Sequence, residues 1–193
     1  MKKKELIILG GPNGSGKTTF AKAFLKERKG EYYFLNADEI AKSLSNDKAA
    51  SGSMAAGKVY FDRLSKIRGK GQSVIIESTL SGKGLMRWID ELRKAKFDVV
   101  VMYIFLSSAE LCKNRIQNRV LQGGHYVPDI DVERRYKRGI SNFWMMYKAK
   151  ATRWFLYNNS EEEFELVALG AADEYVVTES EKFSKFKEIL GAR

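Results

Sequence analysis

Glu5-Leu6-Ile7-Ile8-Leu9-Gly10-Gly11-Pro12-Asn13-Gly14-Ser15-Gly16-Lys17-Thr18-Thr19 is the stretch whose reading sets the fold class. Glu5 to Leu9 has the length and apolar character of a short buried strand. Lys17 to Lys29 reads as a helix with Phe20, Phe24 and Ala21 turned inward. Between them, Gly11 to Thr18 satisfies the phosphate-binding loop pattern Gly-x-x-x-x-Gly-Lys-Thr in the strand-to-helix context where that loop works. A chance match to all four fixed positions arises on the order of once in a hundred such chains. Glycines let backbone N–H groups turn around phosphate oxygens, and the helix N-terminus adds a favourable field. In this reading Gly11, Pro12, Asn13, Gly14, Ser15, Gly16, Lys17, Thr18 and Thr19 bind ATP. Lys17 reaches the β- and γ-phosphates and the Thr18 hydroxyl ligates Mg²⁺.

Outward from the loop, strand and helix alternate. Tyr32 to Leu35, Ser73 to Ile76, Val99 to Leu106, Arg153 to Tyr157, Phe164 to Leu169 and Tyr175 to Val177 read as strands. Helices are expected at Asp38 to Leu44, Met54 to Arg68, Gly84 to Lys96, Ala109 to Leu121, Val132 to Lys150 and Glu181 to Leu190. The pattern predicts an α/β fold, a P-loop NTPase-type mostly parallel sheet with helices on both faces. It is read as a single P-loop kinase domain over residues 1–193, with an arginine-bearing helical lid at about 109–150. Ligands of such sheets bind beyond the carboxyl ends of the strands.

Composition narrows the class. The 193 residues are 44% hydrophobic and 30% charged, which excludes a largely disordered chain. No apolar run reaches the roughly 18 residues of a membrane span, and the stretch after Lys4 is too short for a signal-peptide core. Cys112 is the single cysteine, so an internal disulfide and a Cys-rich metal site are excluded. A cytoplasmic protein with no membrane association is the expectation. The net charge of +10 is uneven: Leu111 to Trp154 holds +7, Phe155 to Arg193 holds −5, and the first 110 residues hold +8. A basic chain with an acidic tail suits an anionic ligand, nucleotide or nucleic acid.

A hydrolytic motor needs a strand of four apolar residues ending in Asp-Glu. Ser73-Val74-Ile75-Ile76 ends in Glu77-Ser78-Thr79, and Val99 to Leu106 ends in Ser107-Ser108. Leu80-Ser81-Gly82 lacks the Gly-Gln of a transporter signature loop. A kinase instead needs a carboxylate that takes the acceptor hydroxyl's proton. Asp38, just past the second strand and expected on the strand neighbouring the phosphate loop, fits that role and also fits a helix N-cap. A kinase further needs arginines over the triphosphate. Arg115 and Arg119 share a helix face; Gly123-Gly124-His125 breaks the chain; Arg134, Arg135 and Arg138 follow. Two arginine-bearing helices joined by a glycine hinge read as a closing lid, against the alternative of a solvated basic helix pair.

These pieces resemble the zeta-toxin-type kinases of the P-loop class. The likeness rests on Gly11 to Thr19, Asn36-Ala37-Asp38-Glu39-Ile40-Ala41, Glu77-Ser78-Thr79-Leu80-Ser81-Gly82, Arg119-Val120, Gly123-Gly124-His125, Val127-Pro128 and Arg134-Arg135-Tyr136. It runs through about Tyr157 and is strongest to the short single-domain bacterial branch, sometimes labelled a predicted ABC-type ATPase. It implies transfer of the γ-phosphate of ATP, with Mg²⁺, to a hydroxyl of a nucleotide-linked small molecule, with UDP-N-acetylglucosamine at the sugar 3′-hydroxyl as the family's best-known acceptor. By position it implies Asp38 as base, Lys17 as phosphate-loop lysine, and Arg119 and Arg134 as lid arginines, for which Arg115 or Arg135 could substitute. Glu77 and Thr79 match the acceptor-side pair, and Asp38 and Arg135 are assigned to the acceptor as well. Glu77 could equally stand beside Mg²⁺ or a lysine. A small antitoxin protein is an implied partner. Asn158-Asn159-Ser160 stands where the family often has Asp-Asn-Ser, and no catalytic role is assigned to it.

His125 reads as a hinge residue and Cys112 as buried and inert. Phe143, Trp144, Tyr147 and Trp154-Phe155 fall on core stripes. The alternative function is a polynucleotide 5′-kinase or nucleic-acid-binding P-loop ATPase. It wants aromatics interleaved with basic residues in an open groove, a pattern not seen, so nucleic acid is not the expected partner.

Overall fold

Every side chain of a central strand must find cover, and β1 (Glu5–Gly10) finds it on both sides. Leu6 and Ile8 enter one apolar cluster. Ile7 and Leu9 enter another on the opposite face of the sheet. The computed structural model describes residues 4–28, 30–36, 59, 62–66, 69, 72–124, 126–161 and 163–192. Around β1 the sheet is completed by β2 (Tyr32–Leu35), β3 (Ser73–Ser78), β4 (Asp98–Phe105), β5 (Arg153–Asn158), β6 (Glu165–Ala171) and β7 (Glu174–Val177) in the order β2-β3-β1-β4-β5-β6-β7. The first five strands of that order run parallel, and β6 and β7 add antiparallel at one edge. The unbroken apolar run expected from Val99 is β4, paired with β1 on one side and β5 on the other.

One expectation about strand order is corrected. β2, which leads toward Asp38, does not neighbour the strand of the phosphate loop; β3 lies between them. The reason is burial. Val74, Ile75 and Ile76 are at most 1% exposed, as an interior strand requires, whereas Tyr33 of β2 is 48% exposed and suits an edge. Asp38 itself lies outside the described residues, as do the expected helix Asp38 to Leu44 and most of Met54 to Arg68. Within the latter, residues 62–66 are helical and Leu64 is buried.

Helices α2 (Gly84–Lys94), α3 (Ala109–Leu121), α4 (Asp129–Asn142) and α5 (Ser180–Gly191) follow α1 (Lys17–Glu27) in the chain. Leu85, Ile89 and Leu92 of α2, Cys112 and Ile116 of α3, and Val132, Tyr136 and Ile140 of α4 share one cluster with Phe186 of α5. Ala21 of α1 packs on the other face. The helix α4 starts three residues before the expected Val132, because Pro128 precedes it and Asp129 and Asp131 complement its first turn. It continues through a π-helical turn, Phe143–Tyr147, and ends at Lys148–Lys150. Phe143 stacks on Tyr103 with ring centroids 4.5 Å apart and meets Trp154 and Phe186 edge-on, so these aromatics are core. Among the described residues no helix is long and apolar enough to cross a membrane.

Candidate active site

The phosphate loop leaves the end of β1 and is held there by backbone. Gly11 N–H donates to the Ser78 carbonyl of β3 at 3.2 Å, and Ser15 N–H closes the loop onto the Pro12 carbonyl at 3.3 Å. Gly14 and Gly16 take left-handed φ values of 80° and 86°. A Cβ on Gly16 would also stand 2.7 Å from the amide nitrogen of Asn159, so glycine is required twice over. Lys17 Nζ arches back over the loop and donates to the carbonyls of Gly11 (2.9 Å) and Pro12 (2.8 Å). The α1 N-terminus thus opens into a turn whose cation is already folded over it.

The second element of the site comes from β3. Thr18 on the first turn of α1 donates its hydroxyl hydrogen to Glu77 Oε2 at 3.1 Å. Glu77 is buried, 9% exposed, on the face of the sheet that α1 covers. A hydroxyl and a carboxylate held together beside the phosphate loop are the hard oxygen donors Mg²⁺ takes, together with phosphate and water. Both residues therefore fit that ion. Among the described residues there is no group of three or more His, Cys, Asp or Glu side chains that could hold a metal.

Thr79 lies just beyond β3, where the chain turns. Its hydroxyl shares a hydrogen bond with Ser81 Oγ at 2.8 Å, and Leu80, fully buried, has φ of 53°. The loop is fastened to α4 and its π-turn. Asn142 Nδ2 donates to the Leu80 carbonyl at 2.8 Å, and the Tyr147 hydroxyl donates to the Gly82 carbonyl at 2.7 Å. Gly139 makes the approach possible, since a Cβ there would stand 2.5 Å from the Thr79 carbonyl oxygen.

The arginines divide. Arg115 lies against the phosphate loop: a Cβ on Gly14 would be 3.5 Å from Arg115 Cβ and 2.9 Å from the Cys112 carbonyl. Its guanidinium donates to the carbonyls of Ser160 (3.3 Å) and Glu161 (3.1 Å). Burial pushes the Cys112 thiol up to about 12, against the opposing pull of the Lys17 and Arg115 charges. Arg135 Nη1 reaches Asn13 Oδ1 of the loop at 3.4 Å. Arg134 instead pairs with Asp131 at 2.6 Å on the exposed side of α4. Arg119 is exposed, and the chain folds back on it at Gly124. Lys113 ties α3 to α4 through Glu133 at 2.6 Å. His125 lies outside the described residues. The structure therefore gathers Lys17, Thr18, Glu77, Arg115 and Arg135 around the loop, with Thr79 one residue past Ser78, whose carbonyl the loop touches, and Arg134 paired with Asp131 instead.

One residue that holds the loop, Asn159, was given no catalytic role from the sequence. Asn159, 7% exposed at the end of β5, donates from its amide to the Ser15 carbonyl at 2.9 Å. The signal available was its place at a strand's carboxyl end.

Comparison with known proteins agrees with the fold. An uncharacterized protein of Haemophilus influenzae is 27% identical over 130 residues, 67% of this chain and 91% of its own length. Of the solved structures, a chain of the PezAT chromosomal toxin–antitoxin system of Streptococcus pneumoniae superposes with a TM-score of 0.69 at 19% identity, covering 99% of this chain and 87% of that one. A chain of AvrRxo1-ORF1:-ORF2 solved with ATP gives a TM-score of 0.72 at 19% identity, covering 95% of this chain and 63% of that one. This chain thus spans under two thirds of that second protein. At such identities the likeness is one of fold, and the fold is P-loop kinase-like. The family model described as AAA domain matches residues 6–138, from β1 into α4 and more than half of the chain, so this chain belongs to the AAA domain family.

Proposed function

We propose that this chain is an ATP- and Mg²⁺-dependent kinase. It transfers the γ-phosphate to a hydroxyl of a nucleotide-linked small molecule, and UDP-N-acetylglucosamine is the first candidate. The observation that carries this reading is the meeting of Lys17, Thr18 and Glu77 at one phosphate loop, with Arg115 and Arg135 lying against it. The loop N–H groups and Lys17 hold the β- and γ-phosphates, and Thr18 and Glu77 hold Mg²⁺, directly or through its water. Mg²⁺ supplies neutralisation of the phosphoryl oxygens when bound. Asp38 takes the acceptor hydroxyl's proton as its oxygen bonds to the γ-phosphorus. The bond from that phosphorus to the bridging oxygen breaks, and ADP leaves with the electron pair. Arg119, Arg134 and Arg135 balance the charge that spreads over the phosphoryl group, within a single domain whose lid spans about 109–150. Thr79 faces the acceptor. The likeness to a chain of a toxin–antitoxin system supports a small antitoxin protein as partner, and a cytoplasmic place of action rests on the composition alone.

The test is transfer of labelled γ-phosphate from ATP with Mg²⁺ across UDP-sugars, dinucleotides, nucleosides and short RNA, with Asp38→Ala alongside. Label on a UDP-sugar, lost in the variant, is the expected result. Label on RNA 5′ ends would assign a polynucleotide kinase instead. Free phosphate alone would overturn the kinase reading.

A further inference from the structure

The turn after β5 reaches the phosphate loop through a single buried side chain. Asn159 Nδ2 donates to the Ser15 carbonyl at 2.9 Å, and its backbone N–H donates to the Phe105 carbonyl at the end of β4 at 3.1 Å. Its neighbours fix the frame from which it points. Asn158 Oδ1 accepts from the Ser160 N–H, and Asn158 Nδ2 donates to Ser160 Oγ, both at 3.0 Å. Ser160 Oγ accepts from the Ser107 N–H at 2.8 Å, and Arg115 donates to the Ser160 carbonyl at 3.3 Å. Four segments (β4, β5, α3 and the phosphate loop) meet in this knot.

The peptide unit that Asn159 grips joins Ser15 to Gly16, and it is trans like the others described. In a trans peptide the C=O and N–H point in opposite directions. Holding the Ser15 carbonyl toward Asn159 therefore turns the Gly16 N–H directly away from it. Gly16, at φ 86° and without the Cβ that would press on Asn159 Nδ2, completes the fit.

We propose that Asn159 is a positioning residue of the nucleotide site, aiming the Gly16 N–H at a phosphate oxygen of the bound nucleotide through the Ser15–Gly16 peptide. This rests on the reading of Gly11 to Thr18 as a nucleotide-phosphate site. The side chain itself touches no substrate. Its effect is on the direction of a donor, which matters because a donor aimed in advance costs no reorganisation on binding.

The experiment is calorimetric titration of the full-length chain with MgADP from mildly acidic to mildly alkaline pH, for wild type, Asn159→Asp, Asn159→Ala and Lys17→Ala, with a thermal melt of each. Asn159→Asp keeps the shape but sets a carboxylate against the Ser15 carbonyl. Its Kd is expected to rise roughly tenfold or more at alkaline pH, as for loss of a hydrogen bond to a charged group. As the pH falls and the introduced carboxyl is protonated it can donate again, so the gap from wild type narrows. Asn159→Ala is expected to lose affinity with no such recovery. A residue that only supports the fold would lower the melting temperature and leave the Kd and its pH course parallel to wild type, and that outcome overturns the proposal. If Asn159→Asp shows no cooperative melt, Asn159→Ala decides, and a Kd within about twofold of wild type overturns it. Equal binding by wild type and Lys17→Ala would overturn the site reading, and this inference with it. Lost binding in Lys17→Ala with unchanged binding in Asn159→Asp would overturn the role of Asn159 alone.

Discussion

Thr18 and Glu77 stand 59 positions apart in the chain and 3.1 Å apart in the molecule, and that one contact bears on the role proposed for Glu77. From the sequence, Glu77 serves a sugar hydroxyl or a magnesium ion equally well. Its hydrogen bond to the Thr18 hydroxyl favours the ion. Glu77→Gln is therefore expected to weaken the Mg²⁺ dependence of ADP binding about tenfold or more, as loss of a ligand's supporting carboxylate does, while leaving ADP affinity without metal unchanged. Titration of MgCl₂ at fixed ADP measures it, and a raised acceptor KM at unchanged Mg²⁺ affinity would return Glu77 to the acceptor. The phosphate loop was legible because its residues are contiguous and its geometry is local. The Asn159–Ser15 contact was not, because it spans 144 positions and depends on which strands end side by side. The choice between Arg134 and Arg135 is a matter of helix phase. Val132, Tyr136, Gly139 and Ile140 are the buried stripe of α4, and Arg135, three after Val132 and four before Gly139, flanks it where Arg134 does not.

At the scale of elements, the loop after β3 and the helix α4 act as one piece. The Leu80 carbonyl accepts from Asn142 and the Gly82 carbonyl from Tyr147, while Gly139 admits the Thr79 carbonyl. Asn142→Ala leaves the Leu80 carbonyl without that donor, and stability is expected to fall by about 1–3 kcal/mol. Urea denaturation of wild type and variant measures it. Tyr147 of the π-helical turn and Gly139 of α4 thus hold the C-terminal end of this helix against the loop after β3. The sequence located the strands within a residue or two because apolar runs and turn residues are local signals. Strand order was less legible. Sequence adjacency suggested β2 beside β1, and the decision fell instead to the more apolar β3, which bears burial on both faces.

Taken as a whole, the molecule buries several weak acids in their neutral form. Burial raises Cys112 from 9.0 and Tyr147 from 10.0, each to about 12, and lifts Tyr103 and Tyr136 in the same direction. In the unfolded chain these groups ionise from about pH 9 upward, while in the folded chain they stay protonated. The unfolded state then binds fewer protons, so stability is full below that range and falls as pH rises through it. Urea midpoints are expected to be level from neutrality to about pH 9 and to decline steeply above it. A constant midpoint through pH 11 would contradict this. The position of β1 also sets a timetable for synthesis. β1 pairs only with β3 and β4, whose first residues are Ser73 and Asp98. A nascent chain that ends before Ser73 therefore has made the nucleotide loop's sequence but neither of the neighbours that give the loop its shape. Such non-local pairing delays ordering of the loop until the chain through Phe105 is available. The phosphate loop thus takes its shape only once β3 and β4, both downstream of it, have been made.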